Sequence, residues 1–386
     1  MTHMHSPEDR YRLTLCGSFG FGNVGDEAAS LAVSDLAEMT GKSLRLDVLS
    51  RYDNPASQEV IGLAVCRNLR VPWLQTQPAL YVGGGVIEPS KRCVLLRCHQ
   101  VIGSRCQPSL FCAAVESGVA YGWLIRRQLR KALGQMQHLY VRDQLSAKVL
   151  RQLIPGRSVE VTGDIVLWMQ PADEALPELK SLDRFIAVSL SPRWKAEPMW
   201  RSWIADGLVR LSRDLKAAVV FVPCSTAFDD DRPEHQSVAE VIRTIAPDVE
   251  TICITMEAEP RRVAAILRRA LLVVGMRLHA CVLALSQRVP CVGLAYHPKL
   301  LAFAQTMGCD RYFLPQCADL LQQSQNTYGY RFGDSGLGNF DMTRVAREAV
   351  DSFDFTSVEV MRKRSQEAFV TVLAAVPPIV PVTQGV

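Results

Sequence analysis

No two cysteines stand at C-x-x-C spacing, although the 386 residues include 12 of them. Without that short knuckle the common structural zinc sites have no ligand frame, and no metal site is expected. Cys93, Cys98, His99, Cys106 and Cys112 lie closest together but lack the spacing. Cys16, Cys224, Cys253, Cys281 and Cys291 stand inside apolar runs and read as small buried hydrophobes of a reducing compartment. No apolar run reaches the roughly eighteen residues that a membrane-spanning helix needs. Peripheral contact with a membrane stays open. The opening MTHMHSPEDRYRL lacks the cationic-then-apolar layout of a secretory signal, so a cytoplasmic protein is expected. An excess of charge of one sign is missing too. With 43 Lys and Arg against 39 Asp and Glu, net charge is +4. No basic stripe is interleaved with aromatics, so nucleic-acid binding is not expected.

What is present is an ordinary folded composition, 48% hydrophobic and 21% charged, in a chain too long for one common core. Apolar strand-like and amphipathic helix-like segments alternate, which argues a parallel α/β architecture. Tyr11–Cys16, Leu44–Leu49, Leu80–Val82, His138–Val141 and Val159–Val161 read as strands of a first half. Gly25–Met39 and Asp143–Leu153 read as helices, and Ser109–Leu133 as mostly helical. The polar, proline-bearing stretch Pro171–Asp183 reads as a linker, after which the alternation restarts. The chain therefore divides into a Rossmann-like domain over 1–172, a second over 184–345, a helical segment over 346–376 that packs back, and a disordered tail over 377–386.

The stretch Gly275–Lys299 carries the strongest chemical signal. The apolar run Leu271–Val274 turns at a glycine and presents Arg277 and His279 at the head of an apolar helix. A second strand, Val289–Leu294, leads to Tyr296, His297 and Lys299. In a parallel sheet, strand C-termini and helix N-termini share one edge, where ligands bind. A guanidinium, an imidazole and an ammonium at one edge suit a small, multiply charged anion with proton transfer nearby.

Other segments are weaker alone. The glycine-rich loop Gly17–Glu27 follows the first strand and exposes backbone N–H groups, and Asp26 and Glu27 could hydrogen-bond sugar hydroxyls; a tight turn capped by Asp26 explains it as well. The triple glycine Gly83-Gly84-Gly85 admits close approach to the backbone or simply forms a turn. Lys91, Arg92 and Arg97 read as a solvated face. Arg193 beside Trp194 suits an anion clamp or a surface salt bridge. Asp229, Asp230 and Asp231 read first as caps of the next helix, and otherwise as groups that hold an acceptor.

Taken together, these blocks resemble the polysaccharide pyruvyl transferase family. The matching stretches are Gly20-Phe21-Gly22-Asn23-x-Gly25-Asp26-Glu27-Ala28, Gly83-Gly84-Gly85, Tyr140-x-Arg142-Asp143-x-x-Ser146, Val161-Thr162-Gly163-Asp164, Arg193-Trp194, Phe221-Val222-Pro223, Gly275-x-Arg277-Leu278-His279-Ala280 and Tyr296-x-Pro298-Lys299. They run from about Tyr11 to Gly308. The resemblance implies two Rossmann-like domains in a GT-B-like arrangement with a C-terminal crossover helix. It implies transfer of a pyruvyl group from phosphoenolpyruvate to two hydroxyls of a sugar, closing a cyclic ketal. The acceptor would belong to a cell-surface glycan such as an exopolysaccharide, or to its lipid-linked or nucleotide-linked precursor. Phosphoenolpyruvate is then a co-substrate, and the scheme needs no resident cofactor.

Carried onto this chain, the resemblance makes Arg277 and His279 the catalytic pair. Arg193, Arg277, His279, Tyr296 and Lys299 would bind the donor. Gly22, Asn23, Asp26, Glu27, Gly84, Gly85 and Glu88 would bind the acceptor. Glu88 stands where many relatives carry an aspartate after the triple glycine, and the region Cys93–Ser117 is unlike the common pattern. Two other readings compete. One is a GT-B glycosyltransferase with a nucleotide-sugar donor, and the other is a non-catalytic carbohydrate-binding relative.

Overall fold

A computed structural model describes residues 10–50, 59–62, 78–88, 93–102, 108–115, 121–192, 198–227, 229–315 and 341–376. Arg193, Trp194, Cys106 and the tail over 377–386 lie outside the described residues. Two compact units form. The first takes Met1–Gly20, Ala29–Trp168 and Arg362–Val386, and the second takes Phe21–Ala28 and Met169–Met361.

The first unit holds seven strands: β1 (Arg10–Cys16), β2 (Ser43–Ser50), β3 (Glu59–Gly62), β4 (Ala79–Val82), β5 (Ser109–Ala113), β6 (Leu139–Val141) and β7 (Glu160–Val161). Their spatial order is β3-β2-β1-β4-β5-β6-β7. Every pairing is parallel. The helices are α1 (Val24–Met39), α2 (Val94–Ile102), α3 (Trp123–Gly134) and α4 (Gln144–Leu153). The order reverses direction between β1 and β4, the point in doubly wound sheets where a ligand crevice opens. The register Cys16↔Tyr81 puts the loop after β1 beside the triple-glycine turn after β4.

The second unit repeats the pattern with β8 (Phe185–Ser189), β9 (Ala218–Phe221), β10 (Thr251–Cys253), β11 (Leu272–Gly275), β12 (Cys291–Ala295) and β13 (Phe313–Pro315). The order is β10-β9-β8-β11-β12-β13, again all parallel, with the reversal between β8 and β11. Its helices are α5 (Pro198–Leu215), α6 (Arg232–Ile245), α7 (Pro260–Arg269), α8 (Leu278–Ser286), α9 (Pro298–Thr306) and α10 (Met342–Ser352). A last helix, α11 (Thr356–Ala374), begins in the second unit and from Arg362 onward groups with the first. The expected α/β class with two parallel, Rossmann-like sheets is the class the chain adopts.

Local chemistry explains these elements. The strands LVVG and CVGLA are buried at every position, as strands covered on both faces must be. Helix α8 buries eight of its nine residues and is apolar around its circumference, as a central helix should be. Helix α7 buries Val263, Ala264, Ile266 and Leu267 and is capped by Glu259, whose carboxylate accepts from the Arg261 and Arg262 N–H groups. Among the described residues no helix is long and apolar enough to cross a membrane.

One segment differs from the sequence reading. Ser109–Ala113 is a fully buried strand, not the start of a helix. Five apolar or small residues carry no period that separates strand from buried helix, and here pairing with β4 and β6 decides. The stretch Pro171–Asp183 is tied to α7, where Arg262 meets Glu174 at 3.2 Å and Glu178 at 3.0 Å.

Within the first unit the C-terminal half of α11 packs on the sheet. Phe369 is fully buried, with its ring 5.6 Å from that of Phe111. The Trp168 indole N–H donates to Ser365 Oγ at 2.8 Å. Phe369→Ala should therefore cost about 3–5 kcal/mol. Val370→Ala, at a position 51% exposed, should stay within about 0.5 kcal/mol. Urea unfolding of both variants checks this, and equal small effects would show that the helix contributes little to the first unit.

Candidate functional site

The second unit gathers three chain segments at the C-terminal edge of its sheet. One is the end of β11 with the head of α8. The second is the loop over 222–231 after β9. The third is the glycine-rich loop Phe21–Ala28, which belongs to this unit although it follows the first strand of the other.

Arg277 sits at the N-cap of α8, buried to 8% exposure. Its guanidinium does not stand bare. Nε donates to Asp231 Oδ1 at 2.9 Å and Nη2 to the same oxygen at 2.5 Å. Nη1 donates to Asp229 Oδ2 at 3.0 Å, and Nη2 to the Asp229 carbonyl at 2.8 Å. A guanidinium has five N–H donors, so one Nη1–H is left over. Pairing with Asp231, supported by Tyr296 and Asp229, holds the arginine pKa above its ordinary value against the opposing effect of burial.

Asp231 is fully buried. Its second oxygen accepts from the backbone N–H groups of Cys224 and Ser225, both at 3.0 Å. Burial pushes this carboxyl up to about 6, while Arg277 and the two N–H groups pull it back. The sequence reading favoured helix capping for the three acids, and Asp231 does something else. It occupies the N-cap of α6 but makes no side-chain cap bond. A buried guanidinium and two strand-end amides offer it more than the solvated first turn of α6 does. Asp230 takes the helix-side role, accepting from the Arg232 N–H at 2.9 Å.

The loop after β9 then receives the glycine-rich loop. The Val24 N–H donates to the Cys224 carbonyl at 2.9 Å, and Asn23 forms an antiparallel bridge with Ser225. Asn23 Oδ1 accepts from the Gly25 N–H at 3.0 Å, and its carbonyl accepts from Asp26 and Glu27 at 3.1 Å. Glu27, 7% exposed, folds its Oε1 back to the Phe21 N–H at 3.0 Å. Gly22 has φ +65°, and a Cβ there would meet the Ala227 methyl at 2.8 Å, so this position requires glycine on two counts.

His279 lies in the first turn of α8, half-buried. A Cβ on Gly25 would stand 1.7 Å from its Nδ1, 2.1 Å from Cγ and 2.2 Å from Cε1. The imidazole therefore lies directly against the Gly25 backbone at the head of α1, with Nε2 on the side farther from it. The glycine loop and the R-L-H turn, about 250 residues apart in sequence, are two halves of one contact.

Tyr296 directly follows β12, close enough to Arg277 to act on it electrostatically. His297 caps α9, its Nδ1 accepting from the Lys299 N–H at 3.2 Å, and Lys299 lies half-buried in that first turn. The remaining candidates fall in the first unit. Gly84 and Gly85 form the turn after β4, where Ser18 Oγ donates to the Gly84 carbonyl at 3.1 Å and Gly85 has φ +63°. Glu88 follows, half-buried, near the Cys93 thiol that burial pushes up. Arg193 lies outside the described residues. Among the described residues no group of His, Cys, Asp and Glu is placed to hold a metal ion.

Sequence reasoning missed His235. It is fully buried on α6, and its Nε2 accepts from the Leu190 N–H at 3.0 Å, just past β8. Burial pushes this imidazole down to about 3. Only its place four residues after Asp231 could have signalled it. Cys224 beside Asp231 is likewise buried, with its thiol pushed up to about 12, so it is inert packing.

Two predictions follow from this geometry. Gly25→Ala forces the new methyl into the His279 ring and should destabilise the protein by about 1–3 kcal/mol. Most of that cost should vanish in a His279→Ala background, and a double-mutant cycle by urea unfolding reads the coupling directly. Additive effects would mean that the two do not touch. The second concerns pH. His235 titrates near 3 when folded and near 6.5 when unfolded, so its contribution is intact above 6.5 and is lost as pH falls towards 3. Asp231, raised from 3.8 to about 6, has the opposite sign, losing stability as pH rises through that window. His235→Gln, which keeps an acceptor for Leu190, should flatten the acid loss by a few kcal/mol between pH 6.5 and 4. A stability-against-pH slope equal to that of the unchanged protein would reject this role.

A comparison with curated proteins finds no match. Among solved structures, a UDP-N-acetylglucosamine 2-epimerase aligns with a TM-score of 0.55 at 13% identity, over 97% of this chain and all of that one. The UDP-GlcNAc 2-epimerase of Methanocaldococcus jannaschii, in complex with UDP-GlcNAc and UDP, aligns with a TM-score of 0.54 at 11% identity over 95% and 99%. That of Neisseria meningitidis, bound to UDP-GlcNAc, gives 0.52 at 11% identity over 95% and 99%. At such identity the likeness shows the fold alone, that of two parallel α/β sheets. The family model for polysaccharide pyruvyl transferases matches residues 23–298, from the asparagine of the glycine loop to the proline that opens α9, and the chain belongs to that family.

Proposed function

We propose that the protein transfers a pyruvyl group from phosphoenolpyruvate to two hydroxyls of a sugar, in a cell-surface glycan or its lipid-linked or nucleotide-linked precursor, in the cytoplasm. The observation that carries this reading is the His279 imidazole, seated against Gly25 two residues from the buried Arg277. Membership of the family supports the transferase class.

The chemistry has a definite balance. A proton adds to C3 of the enol, making C2 electrophilic. One sugar hydroxyl bonds to C2, the C2–O bond to phosphate breaks, and the second hydroxyl closes the ring. The two hydroxyl protons are balanced by the new C3–H bond and by the released phosphate. His279 is the group assigned to the proton at C3, through Nε2, because Nδ1 is the ring nitrogen pressed to the head of α1. General acid–base help of this kind is worth about 10²- to 10⁴-fold.

Arg277 takes a more limited part than a bare clamp. With one Nη1–H left over and two carboxylates on its fork, it adds little net positive charge. The N-termini of α8 and α9, which end at the same sheet edge, carry the rest of the attraction for phosphate and carboxylate, with Lys299 and Arg193. Tyr296 lines the same edge. On the acceptor side, Gly22, Asn23 and Asp26 present the loop surface while Glu27 keeps it folded. Gly84, Gly85 and Glu88 are kept as further acceptor candidates.

His279→Gln should hold phosphoenolpyruvate within a few-fold of the unchanged protein while slowing single-turnover transfer by about 10²- to 10⁴-fold. Exchange of C3 protons in deuterated water should slow with it. Transfer at the unchanged rate would move the acid elsewhere. Arg277→Ala leaves Asp231 buried without its partner and should cost about 3–5 kcal/mol of stability. Phosphoenolpyruvate should raise the unfolding temperature more than a nucleotide-sugar does, and the reverse order would favour a glycosyltransferase.

A further inference from the structure

We propose that helix α3 of the first unit is a docking surface for an anionic lipid membrane. Whole-chain charge hides it. Between residues 121 and 159 there are eight Lys and Arg against one acid, in a chain whose total is only +4. That acid, Asp143, is buried and bonded to Arg142 at 3.0 Å. Helix α3, WLIRRQLRKALG, contains no carboxylate.

Folding sorts the helix into two faces. Leu129, Ala132 and Leu133 are buried against the sheet. Trp123, Leu124, Arg126, Arg127, Arg130 and Lys131 are exposed. Trp123 is 73% and Leu124 57% exposed, the two most exposed large apolar side chains described. Arg127 lies over the Trp123 ring at 5.8 Å, so indole and cation share one surface. Among the described residues no carboxylate pairs with Arg126, Arg127 or Lys131. The sequence reading found no basic stripe interleaved with aromatics, because the cations cluster with a tryptophan only around the helix.

Two side chains that are costly to leave in water, ringed by unpaired cations, are what an interfacial helix presents to anionic headgroups. Tryptophan and leucine enter the headgroup–acyl boundary, and Lys and Arg stay at the phosphates. A nucleic acid would use the cations but gains little from Leu124. Placement fits as well. The Gln137 N–H donates to the Pro108 carbonyl at 2.9 Å, fixing the far end of α3 at the start of β5. Its first turn therefore lies at the C-terminal edge of the sheet, the edge that carries the triple-glycine turn. A lipid-linked acceptor would then reach that edge from the bilayer, a consequence that rests on the proposed function, whereas the docking itself does not.

The test is co-sedimentation of the full chain with vesicles of phosphatidylglycerol and phosphatidylethanolamine, against pure phosphatidylcholine. Binding should require the anionic lipid and should fall steeply between about 0.1 and 0.5 M salt. At about fivefold per cation, Arg126→Gln with Arg127→Gln and Lys131→Gln should weaken binding about 100-fold. Trp123→Ser with Leu124→Ser should weaken it about tenfold. Circular dichroism and thermal unfolding confirm that both variants fold. No binding to anionic vesicles overturns the proposal. So does vesicle binding that ignores Trp123 and Leu124 while single-stranded DNA competes equally, since the face is then a general polyanion surface. Pyruvyl transfer to a soluble sugar acceptor should be unchanged in both variants, so a failed docking test and a failed transfer test remain separate results.

Discussion

One buried carboxylate organises the candidate site. Asp231 bonds the fork of Arg277 with one oxygen and the amides of Cys224 and Ser225 with the other. Through Arg277 it fixes the β11–α8 junction. Through Cys224 and Ser225 it fixes the strand end on which Val24 and Asn23 are laid. Gly25 and His279 meet as a consequence. Three segments distant in sequence are held by a single ionised group with every strong contact satisfied, the condition under which a buried ion is tolerated.

That arrangement bears on the electrostatics of the proposed anion site. An arginine shared between two aspartates is a structural tie whose charge is largely balanced. The N-termini of α8 and α9 add positive dipole ends at the same edge, which need no partner to keep their dipoles. In the proposed reaction, proton transfer and anion binding would thereby fall to different groups: a histidine held against a glycine, and backbone ends together with Lys299.

The first unit uses its family motifs in another way. Arg142, Asp143, Ser146 and Asp164 are all buried, at 4%, 1%, 1% and 2% exposure. Asp143 caps α4 through the Ser146 N–H, Ser146 Oγ accepts from Val115, and Asp164 accepts from Val166. Arg142 reaches Asp164 at 3.6 Å. These residues form a polar lock across the ends of β6 and β7, not a ligand surface. A motif match alone does not separate the two roles, because a fully satisfied buried network and a binding site draw on the same residue types.

Much of the fold was legible in the sequence. Apolar runs such as Leu271–Val274 and amphipathic ones such as Asp143–Leu153 fixed the alternation, since burial on both faces or on one leaves a period that side-chain chemistry alone sets. Ser109–Ala113 had no such period, and only its neighbours made it a strand. The same division runs through the site. The glycine loop, the R-L-H turn and the three acids were visible as segments, because strand–turn–helix junctions mark themselves with glycine and polar residues. Which of them touch was not, nor that Asp231 would turn from its helix to Arg277, nor that His235 would stay neutral in the core. Nor did the sequence show that Trp123 would stand among unpaired cations. Partner choice depends on distances between segments far apart along the chain, and burial sets how strongly each pair interacts. Local sequence carries neither.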